Sequence, residues 1–141
     1  MDMNQTVSFF RELTGPDINE IKTIASQKLC SKDELVFSEG DDANSFYIID
    51  KGQVSIFYDN NGEDKQLCVL NENDYFGEMA LFEDIPRSAT IRTQKETRLL
   101  MLHKREFAEI VREYPQIALH ICRVLGARLR KLHDKIKRNE R

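Results

Sequence analysis

Fifteen residues, Phe76-Gly77-Glu78-Met79-Ala80-Leu81-Phe82-Glu83-Asp84-Ile85-Pro86-Arg87-Ser88-Ala89-Thr90, carry groups at a spacing that suits the binding of a sugar phosphate. Gly77 lets the main chain approach a ligand closely, and the small Ala80 leaves the following turn uncrowded. The peptide N–H groups from Glu78 to Leu81 can then face an anion as a short helix start or nest. Arg87 adds a permanent positive charge with a planar fork of donors, and Ser88 and the Ala89 N–H add neutral donors beside it. Glu78 is out of place next to an anion unless it accepts from hydroxyls, as a carboxylate does from a ribose. Gly77, Glu78, Met79, Ala80, Arg87, Ser88 and Ala89 are therefore the candidate ligand-binding residues. A plainer alternative pairs Glu78 with Arg87 in a rim salt bridge of small value. That pairing accounts for two charges but not for Gly77, Ala80, Pro86 and Ser88 at their offsets.

Such a segment needs a rigid frame, and the flanking hydrophobic periods predict one. Phe9, Phe10 and Leu13, then Ile18, Ile21, Ile24 and Ala25, recur at helical steps around a break at Thr14-Gly15-Pro16-Asp17, so two short helices are expected within residues 8–30. Short strand-like runs follow over residues 34–103: 35–37, 46–49, 54–58, 66–70, 89–93 and 98–102, punctuated by turns rich in Asp, Asn and Gly. With no long helix between them to make parallel crossovers, they predict an antiparallel barrel or sandwich, and of these a β-barrel of the double-stranded β-helix or jelly-roll kind is expected. Leu67, Cys68, Val69 and Leu70 offer an apolar shelf, or simply core. Over 104–139 the helical period returns, as a helix from Lys104 to Glu113 and a longer one opened by Pro115. The fold class is thus mainly β with flanking helices, as one domain over residues 1–141.

The last helix carries two apolar stripes. Ala118, Cys122, Leu125, Leu129, Leu132 and Ile136 alternate steps of four and three as a heptad seam, and Ile117, Ile121 and Val124 form a neighbouring stripe. A helix running to about Asn139 spans roughly 36 Å, longer than a small barrel needs for its own cover. Two stripes ask for two surfaces, which predicts a homodimer through this helix; packing of the seam on the barrel is the alternative.

Charge and composition narrow the remaining classes. The net charge of −3 conceals an acidic body, with 13 Lys/Arg against 22 Asp/Glu before residue 123, and a basic tail, with eight against two from Arg123 onward. The tail reads either as a solvated helix face or as a weak nucleic-acid contact, and it has no aromatic residue after Tyr114 to stack on bases. No apolar run is long enough for a membrane span and the polar start is not a signal peptide, so a cytoplasmic protein is expected, away from any membrane. Cys30, Cys68 and Cys122 are far apart, suiting reduced thiols. His103, His120 and His133 are equally scattered, so neither a metal nor another cofactor is expected. Ser88 has no histidine nearby to activate it, and catalysis is not expected.

Taken with the glycine turns Phe37-Ser38-Glu39-Gly40-Asp41 and Asp50-Lys51-Gly52, the 76–90 segment resembles the phosphate-binding cassette of cyclic-nucleotide-binding domains. These are the domains of the catabolite activator protein and of cyclic-nucleotide-regulated kinases and channels, and the resemblance covers nearly the whole chain. It implies that Glu78 takes the ribose 2′-hydroxyl, that Arg87 and Ser88 take the cyclic phosphate, and that N–H groups around Gly77 to Ala80 complete the cradle. Serine and alanine after the arginine look more like cyclic AMP members, with cyclic GMP the alternative. Aligning the final helix places Leu132 and His133 where the catabolite activator protein presents a threonine and a serine to adenine, so Arg128, Leu132 and His133 are the candidate base lid. The sequence ends at Arg141 where transcription-factor members continue into a winged helix, so specific DNA binding is not expected. The implied function is a stand-alone sensor signalling to an unidentified partner chain; a scaffold of the same fold that does not use the pocket is the rival.

Overall fold

Strands whose two faces are both covered carry unbroken apolar runs, and Phe46-Tyr47-Ile48-Ile49 is such a run. In the computed structural model, which describes residues 15–81 and 83–139, it lies in β3 (Ser45–Lys51). The elements run α1 (Gly15–Ile24), β1 (Ser26–Cys30), β2 (Leu35–Phe37), β3, β4 (Val54–Asn60), β5 (Glu63–Leu70), β6 (Tyr75–Phe76), a 3₁₀ turn (Glu78–Leu81), β7 (Thr90–Thr93), β8 (Thr97–His103), α2 (Lys104–Glu113) and α3 (Pro115–Asn139). All the described strand pairings are antiparallel, and they build two four-stranded sheets in the orders β1-β8-β3-β6 and β2-β7-β4-β5.

Alternation along β3 and β8 divides the core in two. Phe46, Ile48, Leu100 and Leu102 face the helices and bury against Ile21 of α1, Phe107 and Ile110 of α2, and Ile117 and Ile121 of α3. Tyr47, Ile49 and Leu99 face the other way and meet Val54, Cys68, Leu70 and Ile91 of the second sheet. Each fully buried aliphatic or aromatic side chain of this kind contributes about 1.5–3 kcal/mol by leaving water. Asp50 ties the ends of α1 and β8 together, at 2.7 Å from Arg98 Nε and 3.3 Å from Lys22 Nζ. Burial pushes its carboxyl up, but the hydrogen bonds and charges of Arg98 and Lys22 outweigh this and hold it below the usual carboxylate range.

One expectation about this frame needs correction. Residues 26–30 are not the end of a helix but the edge strand β1, paired with β8 from Ser26↔Met101 to Cys30↔Thr97. Its sequence hides the strand because Leu29 is 75% exposed and only Cys30 is buried. The expected jelly-roll-like fold is present in its open, sandwich form: among the described strands the sheets are not closed into a barrel, and β1, β6, β2 and β5 are edge strands. The other expected strands, and the helices Lys104–Glu113 and Pro115–Asn139, are present. The first expected helix, around Phe9 and Phe10, lies outside the described residues.

The end of β8 turns into α2 through Glu106, whose carboxylate accepts from the His103 N–H at 2.9 Å. In α3 the stripe of Ile117, Ile121 and Val124 is buried on the body, whereas Leu129, Leu132 and Ile136 are 68%, 45% and 48% exposed. The two stripes therefore part company beyond Val124: Leu125 still packs on the core, whereas the seam from Leu129 onward is exposed. Among the described residues no helix is long and apolar enough to cross a membrane.

Candidate functional site

The chain between β6 and β7 wraps the mouth of a cavity of about 210 Å³ in the side of the second sheet. It starts at Gly77, whose φ of +80° lies in the left-handed region that glycine alone adopts freely. The carbonyl of Gly77 accepts from the Ala80 N–H at 3.2 Å and starts the 3₁₀ turn. The N–H groups of Glu78 and Met79 precede this bond, at the end of the turn where anions are favoured. Ala80 is buried.

Gly77, Glu78, Met79, Ala80, Arg87, Ser88 and Ala89 all line this one cavity. Opposite them lie Ile56, Leu67, Cys68 and Leu70 of the second sheet, with Ile85 on the loop. Leu67 and Cys68 both reach the cavity because the β4–β5 register shifts between Ile56 and Phe57. Val69 does not line it. Burial pushes the Cys68 thiol up, so this wall stays neutral.

Arg87 is 7% exposed. Its Nη2 donates to the Ser45 carbonyl at 2.8 Å and its Nη1 to the Gly77 carbonyl at 3.4 Å, while Nε is buried with no hydrogen-bond partner. Burial pulls its pKa below the ordinary guanidinium value, against the opposing influence of Tyr47, Asp41 and Glu78. An arginine remains charged under such a shift. Among the described residues no carboxylate forms an ion pair with it. The rim salt bridge between Glu78 and Arg87 is thus not formed; Glu78 pairs instead with Arg128 of α3, Oε1 to Nη1 at 3.3 Å. A buried cation without a counter-ion at a cavity wall is costly by itself and suits an anionic ligand.

The candidate lid divides. Arg128 lines the cavity, with its guanidinium carbon 6.0 Å from the Tyr75 ring centre. Leu132 and His133 do not; they lie about one helical turn farther on, in a separate groove with Gly126, Leu129, Arg130 and Ile136. By that point α3 has left the sandwich, so the expected base contacts of Leu132 and His133 are not assembled here. Phe37, Ala43 and Tyr75 also line the cavity, and sequence reasoning did not single them out as wall residues. Only Phe37 had a signal, its place at the head of a glycine turn.

Residues 27–114 match the family model described as the cyclic nucleotide-binding domain. The chain belongs to that family. This cyclic nucleotide-binding domain is 26% identical over 122 residues to the cyclic AMP receptor protein of Thermus thermophilus, covering 86% of this chain and 56% of that protein. It is 37% identical over 79 residues to a cAMP-dependent protein kinase regulatory subunit of Blastocladiella emersonii, covering 55% of this chain and 20% of the other. The chain therefore spans little more than half the length of the first relative and a fifth of the second. Its fold superposes on the crystal structure of the Thermus thermophilus catabolite activator protein with a TM-score of 0.86, at 25% identity, covering 92% of this chain and 61% of that one.

Proposed function

We propose that this domain is a regulatory sensor that binds cyclic AMP in the cavity between Arg87 and Arg128 and passes the signal through α3 to a partner chain. The observation that carries the reading is the Arg87 guanidinium, buried at the cavity wall with an unpartnered Nε and, among the described residues, without a carboxylate in an ion pair. Arg87 and Ser88 hold the cyclic phosphate, with the N–H groups at the start of the 3₁₀ turn. Glu78 accepts from the ribose 2′-hydroxyl, and the base lies against Leu67, Cys68 and Leu70. The names of the relatives, a cyclic AMP receptor and a cAMP-dependent kinase subunit, favour adenine.

The link to α3 is the ion pair of Glu78 with Arg128. A ribose hydroxyl that claims Glu78 competes with Arg128, so ligand acts on the one residue of the last helix that lines the cavity among those described. The nucleotide biases the placement of α3 only by its difference in affinity for the two arrangements.

Thermal melts with cyclic AMP, cyclic GMP, AMP and buffer test the reading. At a cyclic AMP concentration near 100 times the dissociation constant, one-site binding adds about 2.7 kcal/mol of stability. No shift with either cyclic nucleotide at millimolar concentration overturns it.

The exposed seam of Leu129, Leu132 and Ile136 supports a second copy of the chain as the occupant of α3's free face. Leu129, the most exposed of the three, is the place to interrupt it. In sedimentation experiments Leu129→Asp is expected to weaken the dimer at least about tenfold, since burying an unpaired carboxylate at a seam costs more than about 1.4 kcal/mol. A wild-type chain that sediments as a monomer at all concentrations removes the dimer from the proposal.

A further inference from the structure

We infer that Phe37 is a positioning residue for Arg87, holding the guanidinium at the cavity wall with a ring face in the place where a carboxylate would neutralise it. The inference rests on the reading of the cavity as a cyclic-nucleotide site and adds to it the device that keeps its cation both buried and available.

A buried guanidinium needs electrostatic compensation. A carboxylate supplies it, but then competes with the phosphate for the same donors. The ring of Phe37 supplies it without that competition: the guanidinium carbon of Arg87 lies 4.1 Å from the ring centre, well inside the range of cation–π attraction. Tyr47 is a more distant second ring at 5.8 Å. Phe37 is itself held by aromatic neighbours, with ring centres 5.9 Å from both Tyr47 and Phe76, and those two stack on each other at 5.1 Å. A register shift between Leu35 and Phe37 sets Phe37 opposite Ile91, another cavity-lining residue.

The chain just after Phe37 holds the other end of Arg87. The Gly40 N–H donates to the Arg87 carbonyl and the Arg87 N–H donates to the Asp41 carbonyl, each at 2.8 Å. That turn is closed by the Asp41 N–H on the Ser38 carbonyl at 3.0 Å and by the Ser38 N–H on Asp41 Oδ2 at 2.9 Å. One five-residue stretch, Phe37 to Asp41, therefore fixes the backbone of Arg87 with a pair of hydrogen bonds and its guanidinium with a ring. Within the 76–90 segment the Gly77 carbonyl also takes Nη1 of Arg87 at 3.4 Å, but the ring that covers the guanidinium comes from outside that segment.

The test compares Phe37→Leu, which fills space without a π face, with Phe37→Tyr, which keeps the face. Calorimetric titration with cyclic AMP is expected to show a loss of about 5- to 30-fold for Phe37→Leu, equivalent to about 1–2 kcal/mol, and an affinity for Phe37→Tyr within about twofold of wild type. A second measurement needs no folded variant at position 37. In the wild-type protein without added nucleotide, the Arg87 guanidinium N–H resonances, assigned by their loss in Arg87→Lys, are expected upfield of those of the exposed Arg105 and Arg138 through the ring current of Phe37. An affinity of Phe37→Leu within twofold of wild type, an equal loss in Phe37→Tyr, or an ordinary Arg87 shift overturns the inference. If the wild-type protein binds no cyclic nucleotide, the cavity reading falls, and the resonance position still decides whether Phe37 holds Arg87.

Discussion

Arg87→Ala is expected to reduce cyclic AMP affinity by about 10²- to 10³-fold and to erase the nucleotide-dependent rise in melting temperature. The size follows from what the side chain supplies. It is the buried cation of the cavity wall, and its fork keeps an unpartnered Nε after the Ser45 and Gly77 carbonyls are served. Truncating one partner of a desolvated, hydrogen-bonded charge pair costs about 2–5 kcal/mol, which brackets that fold-change. The fold should lose far less. Arg87 contributes two hydrogen bonds to carbonyls and a ring contact, but burying its charge is itself unfavourable. Removing it leaves the Ser45 carbonyl without that donor, at a cost of about 1–3 kcal/mol, and also removes a desolvated charge. Titration calorimetry and melts without nucleotide separate the two effects. An Arg87→Ala variant that binds as tightly as wild type would show that the phosphate lies elsewhere.

The candidate binding residues were readable in the sequence because they are nearly contiguous: a glycine at a positive φ, the turn it starts and an arginine ten residues later occupy one local segment. What the sequence could not display is which distant groups meet that segment. Ser45 reaches Arg87 through a main-chain carbonyl, which has no residue-type signature, and Phe37 reaches it from a strand 50 residues earlier. Glu78 finds Arg128 rather than Arg87 because α3 crosses the cavity at that turn and not one turn later. The same trajectory carries Leu132 and His133 away from the cavity, and helical periodicity says which residues share a face but not where the helix departs from its support. Among the strands, those with a buried face on each side of the sheet announced themselves, whereas β1, with Leu29 pointing to solvent, is set by pairing with β8 and not by its own pattern.

Gly77→Ala is expected to lower cyclic AMP affinity by about 10²-fold while costing the fold only about 1–2 kcal/mol. The fold cost is that of placing an L-residue at a φ of +80°. The binding cost has a different origin: a Cβ built on Gly77 would lie 2.8 Å from Nη1 of Arg87 and 3.3 Å from the Ser45 carbonyl oxygen. The carbonyl belongs to a buried strand end and cannot retreat far, so the guanidinium must move. A shift of about 1 Å in a group that grips the ligand is enough for a loss of that order. Gly62→Ala serves as the comparison, because Gly62 also has a positive φ, +89°, but sits in the turn between β4 and β5 with nothing within 4 Å of a built Cβ. It should lose comparable stability in thermal melts and no affinity in titration. Equal binding losses in the two variants would mean that backbone strain alone disturbs the site; a Gly77→Ala protein with wild-type affinity would mean that the position of Arg87 against Gly77 does not matter for the ligand.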